Sequence, residues 1–473
     1  MAQSYDLVVI GAGTGGYVAA IRAAQLGLRT AVVERQKALG GTCLLWGCIP
    51  TKALLEHAHA LKIMQESAEW GVDLGGATPK LDLAAVHARK DKIVAGLSKG
   101  IESLFKKHGI AWIRGTARLA KGNRVHVSGG DGDQELQATH VIVATGSAPR
   151  SVPGVTIDRR RIITSDEAIH LKEVPGSIAI LGSGAVGVEF ASIFRRFGST
   201  VTILELLPRL VPAEDEAVSA ELARSFRKQG ITALVGAKVT KADASDTGVK
   251  IEAELQGGKT QIIQADYLLV ATGRGPVTDG LGAEELGLEM VRGYIRVDEL
   301  YRTNVENVSA IGDVITFGEG TRHPQLAHVS SAEGILVAER IAGREVRPIN
   351  YEHVPSCTYC DPEIGSVGLT EAAARERGYD VQIGTFPFRA LGRARMANET
   401  DGFVKIVAEK KYDEVLGVHI IGPRATEIVA EAVLALRTEC TVEELVRTIH
   451  AHPTMAEAMG EAAHATHGAA IHI

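Results

Sequence analysis

The chain has 473 residues, of which 45% are hydrophobic, 23% charged and only 4% aromatic, and its formal net charge is −6 at pH 7. A globular chain of this length has more residues than one hydrophobic core usually organises, so we expect three or four domains. No block of like charge would suit nucleic acid or an acidic membrane surface, and no apolar run approaches the roughly 18 residues of a membrane helix. The expected partners therefore include neither nucleic acid nor a membrane.

The five cysteines are too few for a disulfide framework in a chain of this length, which favours a reducing compartment. The first strand is predicted to begin at about residue 5, which leaves no room for a signal or transit peptide. We therefore expect a cytoplasmic protein in which any disulfide is catalytic.

The first predicted elements form a strand–helix–strand unit, "YDLVVIGAGTGGYVAAIRAAQLGLRTAVVER". Gly11, Gly13 and Gly16 spell G-x-G-x-x-G directly after the first apolar strand, and Glu34 ends the second. Glycines suit such a turn because a pyrophosphate must approach the backbone closely at the helix N-terminus. Glu34 would accept a hydrogen bond from a ribose hydroxyl. This unit is predicted to bind a dinucleotide.

The same pattern returns in "SIAILGSGAVGVEFASIFRRFGSTVTILE". Its glycines are Gly182, Gly184 and Gly187, and Glu205 follows the first of them by 23 positions, as in the first copy. Two such units predict two dinucleotides bound side by side, the arrangement that hydride transfer between a flavin and a nicotinamide requires. A carboxylate at Glu205 would repel a 2′-phosphate, so NAD is favoured over NADP.

Three further strands end in turns that contain glycine. "VIVATGSAP" (141–149) and "LLVATGRGP" (268–276) each run into Ala-Thr-Gly, and "VSAIGDV" (308–314) places Asp313 where it could meet a cofactor hydroxyl. From about residue 346 the strand-like pieces "EIGSVGLTE", "GFVKIVAEK" and "EVLGVHIIG" are followed by helical "ATEIVAEAVLALRTE" and "TVEELVRTI". The expected fold class is therefore α/β, with two Rossmann-like domains and a C-terminal domain of α+β type.

The stretch "GGTCLLWGCIPTKALLE" holds Cys43 and Cys48. A regular helix would separate them by about 7.5 Å of rise, beyond the usual Cα separation of a disulfide. Either they are not bridged or the helix is distorted there, which Gly47 and Pro50 would permit. A zinc site would need two further ligands, so no metal is expected, and two buried structural thiols are the other alternative. Beside a flavin, a thiolate stabilised by Lys52 would pass electrons to the cofactor while the other thiol exchanges with a substrate.

Oxidation of a dithiol releases protons, so the site also needs a base with a pKa near neutrality, for which histidine is suited. Among the 16 histidines, "IHAHPTMAEAMGEA" singles out His452, because Glu457 about one turn further on could hold the imidazole and raise its basicity. His450 is the chief competitor, and a capping histidine beside a solvated glutamate is the structural alternative.

These motifs, with "AIGD" and "HAHPTMAEA", together resemble the flavin-dependent pyridine nucleotide-disulfide oxidoreductase family over nearly the whole chain, and in particular its dihydrolipoamide-oxidising members. The resemblance implies a homodimer that uses FAD and NAD and shares its active sites between subunits. It further implies an FAD-binding domain at residues 1–150, an NAD-binding domain at 151–275, a central domain at 276–345 that completes the FAD site, and an interface domain at 346–473.

The resemblance also assigns roles to single residues. Cys43 is implied to be the interchange thiol that attacks lipoamide, and Cys48 the flavin-side thiolate that makes a charge-transfer contact. His452 is implied to arrive from the partner subunit as the base, held by Glu457. The residues carried over as FAD contacts are Gly11, Gly13, Gly16, Glu34, Thr42, Lys52, Ala117, Thr145, Gly146, Asp313, Leu326 and Ala327. Those carried over as NAD contacts are Gly182, Gly184, Gly187, Glu189, Glu205, Val239 and Gly273. Lys52 and Glu189 are also carried over as catalytic residues, Lys52 as the cation beside the thiolate and Glu189 as the glutamate near the nicotinamide and Lys52.

The implied reaction is the oxidation of dihydrolipoamide to lipoamide by NAD. The implied partners are lipoyl domains of the acyltransferase of a 2-oxo acid dehydrogenase complex, or the carrier protein of a glycine cleavage complex. The alternatives are a family member that acts on glutathione or mercuric ion, and a flavoprotein that serves as a binding subunit without turnover.

The sequence departs from the usual family pattern in several places. Leu45 and Trp46 replace a more familiar Asn-Val, and Thr51 replaces a common Ser. The loop after Asp313, "TFGEGTRHPQLAHVSSAEG", is extended. The remaining cysteines are expected to be buried thiols or to have no assigned role; these are Cys357, Cys360 and Cys440.

Overall fold

The computed structural model describes residues 3–130, 132–319 and 323–473. The chain forms two compact units. The first unit comprises Met1–Ala53, Ala84–Arg150 and Gly273–Ile349, and the second comprises Leu54–Leu83, Ser151–Thr272 and Asn350–Ile473. The extended loop after Asp313 includes residues 320–322, which lie outside the described residues. The four-domain division implied by the resemblance stays a prediction.

The first 150 residues open with the strand–helix–strand unit that the first glycine motif predicts. The strands here are β1 (Gln3–Ile10), β2 (Thr30–Glu34), β3 (Ala111–Arg114), β4 (Thr116–Ala120), β5 (Arg124–Ser128), β6 (Gln134–Val143) and β7 (Ser147–Pro149). The helices are α1 (Thr14–Gln25), α2 (Gly41–Leu45), α3 (Cys48–Gln65) and α4 (Leu83–Lys107), with a 3-10 turn at Ser67–Trp70. Residues 7–10 of β1 are all buried, which is the pattern of a parallel strand covered on both faces.

Residues 151–272 repeat this plan around the second glycine motif. The strands are β8 (Ile162–Ile163), β9 (Ser177–Leu181), β10 (Thr200–Glu205), β11 (Thr232–Val235), β12 (Lys238–Ala244), β13 (Val249–Glu254), β14 (Thr260–Ala265) and β15 (Tyr267–Val270). The helices are α5 (Ser165–Ala168), α6 (Ala185–Phe197) and α7 (Glu216–Lys228). The second strand–helix–strand motif that the sequence predicts therefore runs from β9 through α6 to β10.

The remaining residues supply further strands to the first unit and a separate sheet to the second. The strands are β16 (Arg274–Pro276), β17 (Met290–Val291), β18 (Tyr294–Arg296), β19 (Val308–Ala310), β20 (Ile315–Thr316), β21 (Ser356–Thr358), β22 (Ile364–Gly368), β23 (Val381–Pro387), β24 (Phe403–Glu409) and β25 (Val415–Ile421). The helices are α8 (Ala283–Leu286), α9 (Ala327–Ile341), α10 (Glu371–Glu376), α11 (Gly392–Met396), α12 (Ala425–Arg437), α13 (Val442–Arg447) and α14 (Glu457–Thr466). Short 3-10 turns lie at Gly312–Val314, Tyr351–His353 and Phe388–Ala390.

The main sheet of the first unit gathers the predicted FAD residues at one edge. Its strand order is β3-β2-β1-β6-β5-β4, and β19 also pairs with β6. Strands β1, β2, β3, β6 and β19 run parallel to one another. Their carboxyl ends therefore meet at the same edge, where Gly11, Thr145 and Asp313 follow their strands. Ligands bind at such an edge in open α/β sheets.

The second unit contains a parallel sheet of order β11-β10-β9-β15-β8 and an antiparallel sheet of order β21-β22-β25-β24-β23. Strands β12, β13 and β14 form a separate antiparallel sheet. The predicted α/β fold with a C-terminal α+β domain is thus confirmed, since the strands and helices expected after residue 346 are all present. None of the helices in the described ranges is both long and apolar enough to cross a membrane.

A buried ion pair joins α7 to the C-terminal sheet within the second unit. Lys405 Nζ on β24 lies 2.9 Å from Asp215 Oδ1 and 2.8 Å from Glu371 Oε2. Burial would raise the pKa of Asp215, but the hydrogen bond from Lys405, the nearby His419 and two backbone hydrogen bonds together hold that pKa below its usual value. Because a buried charge is costly without its partner, this contact fixes the start of α7 against β24.

The close approach of backbone in the second glycine turn gives a stability prediction. A Cβ on Gly187 would lie 2.1 Å from the Gly182 carbonyl oxygen, whereas a Cβ on Gly184 would meet nothing within 4 Å. We expect Gly187→Ala to lower the free energy of unfolding by about 1–3 kcal/mol, because the turn must shift to admit the methyl group. Gly184→Ala is the matched control and should leave stability nearly unchanged. Thermal unfolding followed by circular dichroism measures both, and equal transition temperatures would contradict the prediction.

Candidate active site

Both glycine turns leave the N-terminus of their helix open to a ligand. A Cβ on Gly16 would lie 1.9 Å from the Gly11 carbonyl oxygen, so the first turn is as tight as the second. Neither α1 nor α6 has a side-chain hydrogen bond at its N-cap, which leaves their first backbone N–H groups available. Such amides bind phosphate, and both turns therefore fit the pyrophosphate of a dinucleotide.

In each strand–helix–strand motif, the glutamate that ends the second strand contacts the glycine turn of the same motif. Glu34 Oε2 accepts a hydrogen bond from Ala12 N at 2.8 Å, and its Oε1 accepts one from Gln36 N at 2.8 Å. In the second copy, 171 residues later, Glu205 accepts a hydrogen bond from Ser183 N at 2.8 Å. Each carboxylate therefore fixes the turn, and it keeps further lone pairs for the ribose contact that the sequence predicts.

A chain of hydrogen bonds orients Asp313 in the turn after β19. Ser147 Oγ donates to Asp313 Oδ2 at 2.6 Å, and Arg274 Nε donates to Ser147 Oγ at 2.8 Å. Arg274 Nη2 also lies 3.4 Å from Thr42 Oγ1. The two crossover segments, β7 and β16, pair antiparallel and bring Ser147 and Arg274 together. The Asp313 carboxylate is thereby held as a hydrogen-bond acceptor, which suits a cofactor hydroxyl.

The other residues carried over as FAD contacts occupy the same unit. Thr145 and Gly146 lie between β6 and β7, where Gly146 has a φ of 70° and Thr145 Oγ1 donates to a backbone carbonyl at 2.7 Å. Leu326 caps the N-terminus of α9 and Ala327 begins it. Ala117 is buried in β4. Their roles as cofactor contacts stay predictions.

The helix is interrupted between the two cysteines, which is one of the two alternatives that their spacing leaves open. Cys43 lies in α2, which ends at Leu45, and Cys48 begins α3. Trp46 lies between them with an extended φ of −148°. A Cβ on Gly47 would lie 2.7 Å from the Thr42 carbonyl oxygen, so a larger residue could not make this connection without movement. The interruption allows the Cys43 thiol to hydrogen bond with Cys48.

Both cysteines are thiols in this structure. The hydrogen bond to Cys48 and burial raise the pKa of the Cys43 thiol far above its usual value, and the ammonium group of Lys52 opposes this without reversing it. Cys43 therefore keeps its proton when the pair carries one negative charge. Burial and the nearby Cys43 also raise the pKa of the Tyr17 hydroxyl on α1. The two thiols are thus chemically unequal.

Three of the residues that the resemblance assigns to the NAD site have different surroundings. Glu189 on α6 is buried, and its Oε1 accepts a hydrogen bond from Tyr359 N at 3.0 Å. Val239 is buried in β12. Gly273 precedes β16 with a φ of 112° and belongs to the first unit, whereas Glu189 and Val239 belong to the second.

The structure distinguishes between the two candidate histidines. His452 Nδ1 lies 2.8 Å from Glu457 Oε1, and 78% of the His452 side chain is exposed. His450 Nε2 instead lies 2.8 Å from Glu431 Oε1, with only 10% of its side chain exposed, and this hydrogen bond raises the pKa of His450. Burial would raise the pKa of Glu457, but hydrogen bonds from Thr454 N and His452 keep it below its usual value. Of these two histidines, only His452 can offer its second ring nitrogen to a substrate.

Several residues of this site escaped the sequence analysis. Ser147 and Arg274 each come directly after an Ala-Thr-Gly, and that shared position was a usable signal. Tyr17 follows the last glycine of the first motif and could have been found in the same way. Glu431 lies on α12, 19 positions before His450, so no local pattern connects the two.

The C-x-x-C pair consists of hydrogen-bonded thiols, of which Cys360 is buried and Cys357 half-buried. Cys360 Sγ donates to the Pro362 carbonyl at 3.2 Å, and Cys357 Sγ lies 3.9 Å from the Thr426 carbonyl. Burial, with Glu189 adding to it, raises the pKa of Cys360 well above its usual value, so the thiol is unreactive. In the part of the chain that the structure describes, no three His, Cys, Asp or Glu residues are grouped so that they could hold a metal ion.

Two regions of the chain match sequence profiles of one family. Residues 5–334 match pyridine nucleotide-disulphide oxidoreductase, and residues 354–463 match the dimerisation domain of pyridine nucleotide-disulphide oxidoreductases. The first match covers both glycine motifs and the cysteine pair. The second covers the His452–Glu457 pair.

Full-length relatives agree with these matches. The chain is 44% identical to dihydrolipoyl dehydrogenase of Bacillus subtilis, with 100% of both chains covered, and 43% identical to mitochondrial dihydrolipoyl dehydrogenase of Pisum sativum, with 99% of this chain and 92% of that one covered. Among solved structures, LpdA from Mycobacterium tuberculosis superimposes with a TM-score of 0.88 at 27% identity, covering 98% of this chain and 99% of that one. The chain belongs to the pyridine nucleotide-disulphide oxidoreductase family.

Proposed function

We propose that this chain is a dihydrolipoyl dehydrogenase, which oxidises dihydrolipoamide to lipoamide with FAD and NAD as cofactors. The observation that carries the proposal is the pair of Cys43 and Cys48, hydrogen bonded across a helix interruption beside a dinucleotide-type glycine turn. Two relatives that match over at least nine tenths of their length carry the name dihydrolipoyl dehydrogenase. A bound flavin would take the electron pair from the dithiol and deliver it to NAD as a hydride.

The thiol chemistry follows from the inequality of the two cysteines. One sulfur of dihydrolipoamide attacks Cys43 Sγ in the oxidised pair, the Cys43–Cys48 bond breaks, and Cys48 leaves as a thiolate. The second substrate sulfur then attacks the sulfur bound to Cys43, lipoamide is released, and Cys43 is left as a thiol. Because Cys43 has the raised pKa, it holds the remaining proton while Cys48 carries the negative charge.

His452 is the base that removes the substrate protons. Its Nδ1 is held by Glu457, so the ring orientation is fixed and Nε2 is left for the dithiol. The high exposure of the His452 side chain, beside an Ile449 that is 96% exposed, suits a surface that a second subunit completes. Each active site would then combine Cys43 of one subunit with His452 of the partner subunit. The match of residues 354–463 to a dimerisation domain supports the homodimer.

NAD is favoured over NADP by the electrostatics around Glu205. The nearest candidate cation for a 2′-phosphate, Arg209, is occupied by Glu216, whose Oε1 lies 2.6 Å from Arg209 Nη1. Glutathione reductases prefer NADP, which argues against that alternative. Full-length relatives that are 43% and 44% identical carry the name dihydrolipoyl dehydrogenase, which argues against a mercuric reductase. A binding subunit without turnover would not need Cys43, Cys48 and His452 together.

The proposed partners are lipoyl domains of a 2-oxo acid dehydrogenase acyltransferase or of the glycine cleavage carrier protein. Both present dihydrolipoyl groups, which are the substrate that the cysteine pair is suited to oxidise. The proposed location is the cytoplasm, because five cysteines in a chain of this length favour a reducing compartment.

The cysteine assignment predicts the effect of single serine substitutions. We expect Cys43→Ser and Cys48→Ser each to lower NADH production from dihydrolipoamide and NAD by about 10³-fold or more, because neither variant can form the disulfide. Cys440→Ser is the control and should keep wild-type turnover. The assay is absorbance of NADH at steady state. A wild-type protein that turns over glutathione disulfide with NADPH, and not dihydrolipoamide with NAD, would show that the substrate assignment is wrong.

The base assignment predicts different effects for similar His–Glu pairs. We expect His452→Gln to lower kcat by about 10²–10⁴-fold, because the dithiol then loses its proton acceptor. Glu457→Gln should have a smaller effect, since the histidine remains. His472 Nδ1 pairs with Glu461 Oε1 at 2.8 Å one turn further along α14, so His472→Gln serves as the control and should leave kcat unchanged. Steady-state kinetics across pH measures all three, and an unimpaired His452→Gln variant would exclude this base.

The shared active site predicts complementation between inactive variants. Homodimers of Cys43→Ser and of His452→Gln are each expected to be inactive. After subunit exchange in a one-to-one mixture, half of the dimers are hybrids, and each hybrid regains one site with both wild-type groups. We therefore expect about a quarter of the wild-type activity to return. Light scattering should confirm that the mixture is dimeric, and a mixture that stays inactive after verified exchange would contradict a shared site.

A further inference from the structure

A histidine–glutamate pair that takes no part in the proposed chemistry is buried in the first unit. The side chains of His323 and Glu333 are 2% and 0% exposed, and His323 Nε2 lies 2.7 Å from Glu333 Oε1. The other carboxylate oxygen, Oε2, accepts a hydrogen bond from Gly312 N at 2.6 Å. Buried groups of this kind are costly unless they are fully hydrogen bonded, so the contact needs an explanation.

The contacts of His323 determine which ring nitrogen carries the proton. Gln325 N donates to His323 Nδ1 at 3.2 Å, so Nδ1 is an acceptor and holds no hydrogen. Nε2 therefore carries the hydrogen and donates it to Glu333. Both oxygens of Glu333 are thus satisfied, one by His323 and the other by Gly312.

The pair connects the two segments that frame the predicted FAD residues. Gly312 immediately precedes Asp313 and has a φ of 76°, a left-handed conformation that needs an external constraint to be held in one orientation. On the other side, His323 contacts the backbone of Gln325, and Leu326 then caps α9. A single buried bridge therefore sets the turn that carries Asp313 and the entry to α9.

We propose that His323 is a positioning residue for the cofactor site: through Glu333 it fixes the Gly312–Asp313 turn, and through Gln325 it fixes the start of α9. His323 lies in the loop where this chain is longer than the usual family pattern. The extended loop thus contributes His323, whose ring donates a hydrogen bond to the Glu333 carboxylate. Without this histidine the carboxylate would have one donor fewer. This inference rests on the proposed function only in one respect: it takes FAD as the ligand that binds at the carboxyl ends of the parallel strands in the first unit.

The test compares two substitutions at His323 in the holoenzyme. His323→Leu removes both ring nitrogens, whereas His323→Gln keeps an amide that can donate to Glu333. We expect His323→Leu to release FAD at least about tenfold faster than wild type, because a buried carboxylate loses one of its donors. It should also change the visible circular dichroism of the bound flavin. His323→Gln should restore most of both properties. Flavin fluorescence on release, measured below the unfolding transition, gives the rate.

A matched control separates positioning from general stability. His419 is also buried, with Nε2 2.9 Å from the Leu369 carbonyl, but it lies in the C-terminal sheet of the second unit. His419→Leu should therefore lower the unfolding temperature without loosening the flavin. Wild-type release and circular dichroism in His323→Leu would overturn the inference, and so would equally fast release in His419→Leu. If His323→Leu does not fold, the same readouts from Glu333→Gln, which removes the carboxylate charge, decide the matter.

The outcomes also separate this inference from the proposed function. A wild-type protein that binds no flavin would refute the proposed function itself. A wild-type protein that binds flavin and oxidises dihydrolipoamide, together with a His323→Leu variant that holds flavin normally, would refute only the positioning role.

Discussion

The architecture depends on two places where the backbone approaches itself too closely for any side chain. At Gly16 and at Gly187 a methyl group would lie 1.9 Å and 2.1 Å from a carbonyl oxygen of the preceding turn. Only that closeness lets each strand turn directly into a helix whose first amides point outward, and only such amides can cradle a pyrophosphate. In each copy the carboxylate that ends the second strand then holds the turn in place, at Glu34 and at Glu205.

The same constraint explains where the thiol pair lies. A Cβ on Gly41 would lie 2.5 Å from the Cα of Gly13, so the start of α2 is pressed against the first glycine turn. Cys43 follows two residues later, and the interruption at Gly47 brings Cys48 back towards it. The position of the cysteines beside the dinucleotide edge is therefore a result of backbone contact. The raised pKa of Cys43 arises chiefly from the hydrogen bond that this geometry allows, together with burial.

Much of this could be predicted from sequence, because the chemistry concerned requires fixed local spacing. The glycine turns, the cysteine pair and the His452–Glu457 pair each lie within a few residues of one another, so a pattern can reveal them. Ser147 and Arg274 meet across 127 residues because two crossover strands pair, and sequence marks the strands without marking the contact. The sequence favoured His452 over His450 through the position of Glu457, but no spacing in "HAHPT" contains the difference in exposure between the two histidines.

Three His–Glu pairs in this chain show why composition alone could not assign their roles. His452–Glu457, the proposed base, is exposed, whereas His450–Glu431 is mostly enclosed and joins α12 to the segment between α13 and α14. His323–Glu333 is fully buried, and its tautomer is fixed by a backbone amide. The chemical groups are the same in each case. Exposure decides which pair a substrate can reach, and the buried His323–Glu333 pair instead contacts the backbone of Gly312 and Gln325. The pair proposed for catalysis and the pair proposed for positioning therefore differ in burial, and only tertiary structure reveals that difference.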